Sequence, residues 1–103
     1  MIAVIVSPAA RADLTEIIAY LASVASVGTA SRWNDRLWLA FDEIAEFPGS
    51  GALRPKLGTN VRIKIVTPYI VIYEHVRGAK SADALRVVHG RRRITKRLVR
   101  EQG

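Results

Sequence analysis

The chain has no cysteine among its 103 residues. That excludes a disulfide framework and any thiolate metal site. It has only two histidines, His75 and His89, and the carboxylates around them do not follow a metal-ligand spacing, so no metal centre and no cofactor is expected. No apolar run reaches bilayer-spanning length, and the start lacks a basic segment followed by a cleavage signal. The expectation is a soluble protein of the cytoplasm with no membrane contact. Internal repeats and low-complexity stretches are absent. Acidic residues are scarce in the second half: residues 48–103 hold only Glu74, Asp83 and Glu101.

Against these absences stands a chain that is 50% hydrophobic, enough to bury a core without staples. Its length predicts one domain over 1–103. The formal net charge is +7, split unevenly: residues 1–47 sum to −3 and residues 48–103 to +10. A basic half of this kind suits a polyanionic or acidic partner. The plainer reading is a solvated surface that keeps the protein in solution.

The opening IAVIVS is β-branched and reads as a strand. Ser7 and Pro8 then give a helix cap followed by proline at the first helical position. Leu14, Ile17, Ile18, Leu21 and Ala25 recur at helical spacing. Gly28 is expected to break this helix and Thr29 to cap the next. In the second helix Trp33, Leu37, Ala40, Phe41, Ile44 and Phe47 form an apolar stripe with Trp38 off its centre, and Pro48-Gly49 ends it. Residues 49–60, GSGALRPKLGTN, read as an irregular loop carrying Arg54 and Lys56. Three strands follow: VRIKIV, then YIVIYEHV after a tight Thr67-Pro68 turn, then ALRVVH. Residues 91–103 form a basic tail or short helix.

The order predicts an α+β fold, β-αα-βββ, with a helical hairpin on one face of a small, mostly antiparallel sheet. With only two sizeable helices, the second face is expected to lie open and to collect Arg62, Lys64 and Arg86. Strand alternation puts His89 on the side of Leu85 and Val87, opposite Arg86. That favours a packed, hydrogen-bonded role for His89.

VIVSPAARADLTEIIAYLA, AFDEIAEFPGSGALRPKLGTNVR, YIVIYEHV and ALRVVHGRRR, in this order, resemble the RelE/ParE superfamily of type II toxin–antitoxin toxins. The resemblance spans nearly the whole chain. It implies a dedicated acidic antitoxin bound in a hetero-oligomer, with operator DNA reached only through that antitoxin. RelE-like members are ribosome-dependent mRNA endonucleases, whereas ParE-like members inhibit DNA gyrase.

Cleavage of mRNA on the ribosome would need a base, an acid and cations around the phosphorane. His89, Arg62, Arg86, Lys64 and Tyr73 are the residues that could supply them, with Lys56 holding phosphate. In many nucleases of the superfamily an aromatic residue follows or lies near the terminal histidine or arginine, but Gly90 follows His89 here. The 48–60 loop also carries no carboxylate to act as a base. The RPxLG loop, YIVIYE and the HGRRR ending resemble the ParE-like branch, which implies a gyrase inhibitor that works by binding, with no catalytic residue. A degenerate member that binds its antitoxin without toxicity is the third reading. Candidate target- or nucleic-acid-binding residues are Arg54, Lys56, Arg62, Lys64, Arg86, Arg91, Arg92 and Arg93. Candidate antitoxin contacts are Trp38, Arg62, Arg86, Arg93 and Arg97, where Trp38 would serve as an exposed aromatic anchor.

Overall fold

The computed structural model describes residues 1–100. Strand β1 (Ala3–Val6) leads into α1 (Pro8–Val24) and α2 (Val27–Glu46). Strands β2 (Ala52–Leu53), β3 (Val61–Val66), β4 (Tyr69–Glu74) and β5 (Ser81–His89) follow, and then a short α3 (Lys96–Arg100). The sheet order is β1-β5-β4-β3-β2, with β1 parallel to β5 and the other pairs antiparallel. The α+β architecture thus agrees with the sequence reading, with β2 an added two-residue edge strand inside the 49–60 loop.

The caps explain where the helices begin. Ser7 accepts the Ala10 N–H at 3.1 Å, and its hydroxyl donates to the Leu85 carbonyl at 3.0 Å, so the cap also ties α1 to β5. The second helix starts earlier than Gly28 and Thr29 suggest. Ser26 is its cap, accepting the Thr29 N–H at 3.0 Å, and Gly28 lies inside the first turn. Glycine costs less in a first turn than in mid-helix, because those N–H groups have no intrahelical partner in any case. Before Pro48 the helix stops at Glu46, leaving Phe47 62% exposed and outside the stripe assigned to it.

Two apolar cores lie on opposite sides of the sheet. On the helical side Leu14, Leu37, Phe41 and Ile44 meet Tyr69, Val71, Tyr73, Ala84 and Val87. On the other side Leu57, Val61, Ile63, Ile72 and Val88 meet Leu98 and Val99 of α3. The expected open face is therefore covered, in part by the chain's own basic tail. Apolar Leu98 and Val99 gain more from burial than their cationic neighbours lose, since those neighbours point to solvent.

Arg62 and Lys64 do not stand on an open face either. Val61 and Ile63 fill the α3 side, so alternation turns Arg62 and Lys64 to the helical side. There Lys64 pairs with Glu43 of α2 at 2.9 Å. Arg86 departs furthest from expectation: it is 6% exposed and bound to Asp13 of α1. It pairs with Ile72 of the α3-side core and so stays opposite Val87, but a β-bulge lies just before it. Tyr73 pairs with Ala84 but Ile72 pairs with Arg86, so Leu85 has no partner on β4. Leu85 turns to the α3 side, away from Val87, with which alternation had grouped it.

At this point β1 has left the sheet edge, and Asp13 takes its place. One carboxylate oxygen accepts Arg86 Nε at 2.7 Å and the Val87 N–H at 2.9 Å, and the other accepts Arg86 Nη2 at 2.8 Å. Arg86 Nη1 donates to the Leu98 carbonyl at 2.9 Å. One buried pair thus joins α1, β5 and α3. Asp13→Ala leaves a buried guanidinium without its carboxylate, and urea unfolding should show a loss of about 3–5 kcal/mol. The volume-matched Asp13→Leu, Arg86→Met double variant should recover most of it.

Candidate functional site

The 47–57 loop is held by two polar side chains that the sequence offered as catalytic. The Tyr73 hydroxyl donates to the Pro48 carbonyl at 2.8 Å and accepts the Gly51 N–H at 2.8 Å. Arg62 Nη1 donates to the Gly51 carbonyl at 2.7 Å and the Gly49 carbonyl at 3.2 Å. Gly51 has no room for a side chain: a Cβ there would sit 2.5 Å from the Tyr73 hydroxyl and 2.7 Å from the Ile63 carbonyl. These bonds fix the start of the loop and present Arg54 and Lys56, both exposed, beyond it. The RPxLG stretch continues as two tight turns, with Leu57 N–H donating to the Arg54 carbonyl and Leu57 buried.

Arg54, Pro55, Lys56 and Leu57 line a cleft of about 400 Å³ with Ile63 and Ile94. The cleft has an apolar floor and cations at its rim. Ile94 brings the tail alongside the loop, and Arg91, Arg92, Arg93, Lys96, Arg97 and Arg100, which flank it in sequence, are all exposed. Of the sequence candidates the cleft brings together Arg54 and Lys56, while Arg91, Arg92, Arg93 and Arg97 are exposed on the tail that flanks Ile94. It leaves out Arg86, which is buried, and Arg62 and Lys64, which lie on the helical side and are engaged there. The sequence reading gave no part to Leu57, Ile63 and Ile94 in this cleft. Its signal was the apolar parity of β3, read there as packing alone.

His89 stands apart from Arg62 and Tyr73. It pairs with Tyr69 at the far end of β4, whereas Arg62 pairs with Tyr73. Four residues of strand separate those positions, about 13 Å. The His89 ring is exposed and edge-on to Tyr69, with centroids 5.7 Å apart, and its Nδ1 accepts the Arg91 N–H at 3.0 Å. It is hydrogen-bonded but not packed away. Tyr69 itself is buried and meets Trp33 edge-on at 5.2 Å. Burial, and next the Tyr20 hydroxyl nearby, raise the Tyr69 phenol above its ordinary pKa.

Trp38 is 37% exposed and packs edge-on against Phe41, with centroids 5.0 Å apart. It closes one end of a cleft of about 570 Å³ between the two long helices, beside Leu14, Ile18 and Ala22. Trp38 therefore lies on the helical hairpin, away from the basic surface of the tail. Among the described residues no cluster of three or more His, Asp or Glu side chains could hold a metal ion, and no helix is long and apolar enough to cross a membrane.

Tyr73→Phe keeps the ring but removes both loop bonds, stranding a buried Gly51 N–H. Chemical unfolding should show a cost of about 1–3 kcal/mol, with the native far-UV spectrum retained.

The fold and sequence can be set beside known proteins. Residues 4–94 match the family described as ParE toxin of type II toxin–antitoxin system, parDE. Among solved structures, a chain of the chromosomal ParDE toxin–antitoxin system from P. aeruginosa is similar, with a TM-score of 0.73 and 19% identity. The similarity covers 86% of this chain and 96% of that one. A search of curated protein sequences finds no match. The family match spans most of the chain, and the strand order and helical hairpin agree with it: the protein belongs to the ParE toxin family of type II toxin–antitoxin systems.

Proposed function

We propose that this toxin acts in the cytoplasm by binding DNA gyrase and arresting it with cleaved DNA, and that a cognate acidic antitoxin neutralises it. The observation that carries this reading is the engagement of the nuclease candidates. Arg86 is locked to Asp13, the Tyr73 hydroxyl has both a donor and an acceptor partner, Arg62 holds two loop carbonyls, and Lys64 pairs with Glu43. His89 lies at the far end of β4 from Arg62 and Tyr73. Acid–base cleavage of RNA needs such groups within hydrogen-bond reach of one phosphate. Here they are spent on architecture.

The basic surface has the properties of a docking site. Its cations are exposed, Arg54 and Lys56 border an apolar cleft, and the tail that carries the others is anchored by Leu98 and Val99. Apolar anchoring with a charged rim gives both affinity and steering toward an acidic partner. The acidic antitoxin would cover the same cations, which makes neutralisation a matter of competition for one surface.

A supercoiling assay with purified gyrase tests the target. The toxin should stop supercoiling and leave linear DNA after detergent treatment. Full supercoiling at large toxin excess, with no linear product, contradicts the proposal. Reversing two rim charges, Arg54→Glu with Lys56→Glu, should weaken inhibition by about tenfold or more at low salt and by less at high salt. An unchanged inhibition curve would remove the 54–57 turn from the docking surface.

A further inference from the structure

A second cleft, of about 440 Å³, lies on the helical side of the sheet, and of the exposed cations described above only Arg91 lines it. Glu16, Ile17 and Tyr20 of α1 form one wall, and Tyr69, His89 and Arg91 form the other. Three aromatic rings, one carboxylate and one guanidinium therefore share a single opening. Tyr20 is 63% exposed and His89 is exposed, so two of the rings offer accessible π faces or edges. Tyr69 is held from behind by Trp33. The rings are supported, not loose.

The polar groups are free to act. Neither Glu16 nor the Arg91 side chain makes an ion pair with another described residue. The Arg91 N–H donates to His89 Nδ1, which makes Nδ1 the acceptor and places the neutral ring's proton on Nε2.

We propose that this cleft binds a guanine nucleotide. A base stacks on Tyr or His rings with little sequence preference, so the rings alone select only a flat heterocycle. Glu16 supplies the selection. An ionised carboxylate only accepts, and guanine is the base whose pairing edge offers two adjacent donors, N1–H and N2–H. Adenine presents an acceptor at N1 and would meet the carboxylate badly. Arg91 complements the opposite side of the ligand, either at the O6/N7 edge or at the phosphate. A cation-selecting aromatic cage is disfavoured by Arg91, and a bare anion site by Glu16. This site does not depend on gyrase being the target; of the residues offered for nuclease chemistry only His89 lines it, and Arg62, Lys64, Tyr73 and Arg86 do not.

The test uses the full chain and 5′-GMP, with 5′-AMP, 5′-CMP and inorganic phosphate as comparisons. Trp33 touches Tyr69, so tryptophan fluorescence reports occupancy, and the amide signals of Gly90 and Arg91 report it independently by NMR. GMP should saturate both signals and bind about tenfold more tightly than AMP, the discrimination expected of one bidentate contact. Glu16→Gln, at an exposed position, should abolish the preference, and Tyr20→Ala should weaken every nucleotide. A single-stranded oligonucleotide with one guanine, run in parallel, tells whether the base is taken free or from a strand. Equal response to inorganic phosphate would reduce the cleft to an anion site and overturn the proposal. So would the absence of any saturable change with GMP at millimolar concentration, or an undiminished GMP preference in Glu16→Gln.

Discussion

The Asp13–Arg86 pair is the interaction on which the other elements depend. At the edge of β5, β1 has already turned away, and the strand's N–H groups need a partner that no neighbouring strand supplies. Asp13 provides it from α1 and at the same time neutralises Arg86. Arg86 in turn holds the Leu98 carbonyl of α3. Desolvating two charges is costly, and the geometry offsets that cost by sharing two parallel bonds between fork and carboxylate. The first helix, the last strand and the last helix are thereby positioned by one buried contact.

That arrangement separates two kinds of cation. Arg62, Lys64 and Arg86 are bonded to loop carbonyls or carboxylates of the chain itself and serve the fold. Arg54, Lys56 and the arginines from Arg91 onward remain outside and carry the positive field of the molecule. Only the second group is available to a partner. The tail is kept near the 54–57 turn because two apolar side chains of α3 are buried against β3, β4 and β5. The charge asymmetry of the sequence therefore becomes a surface, not a frayed end.

Much of this was legible in the sequence. Helix starts at Ser7-Pro8, the stop before Pro48, and strands at 61–66, from 69 and through 84–89 follow from local chemistry and periodicity, though β5 begins earlier, at Ser81. Face assignment was harder. The alternation of VRIKIV shows that Val61 and Ile63 share a side, but not that this side is the one α3 covers. Period-two reasoning fails at one inserted residue, Leu85, which the composition of ALRVVH does not mark; Arg86 stays opposite Val87, as alternation has it. Its acidic partner lies 73 positions away, beyond any local pattern. The loop latch was equally hidden: Tyr73 reads as strand filling, and its bonds to Pro48 and Gly51 exist only after the chain closes.

The central claim is that the protein acts by occupying a partner, with its inward-facing cations committed to the fold. Equilibrium binding of the purified toxin to purified gyrase, by titration calorimetry with antitoxin as competitor, tests it most directly. The account predicts a saturable complex that weakens with salt and that antitoxin displaces. Absence of any complex, together with breakage of translated messages that Arg62→Ala with His89→Ala abolishes, would contradict it.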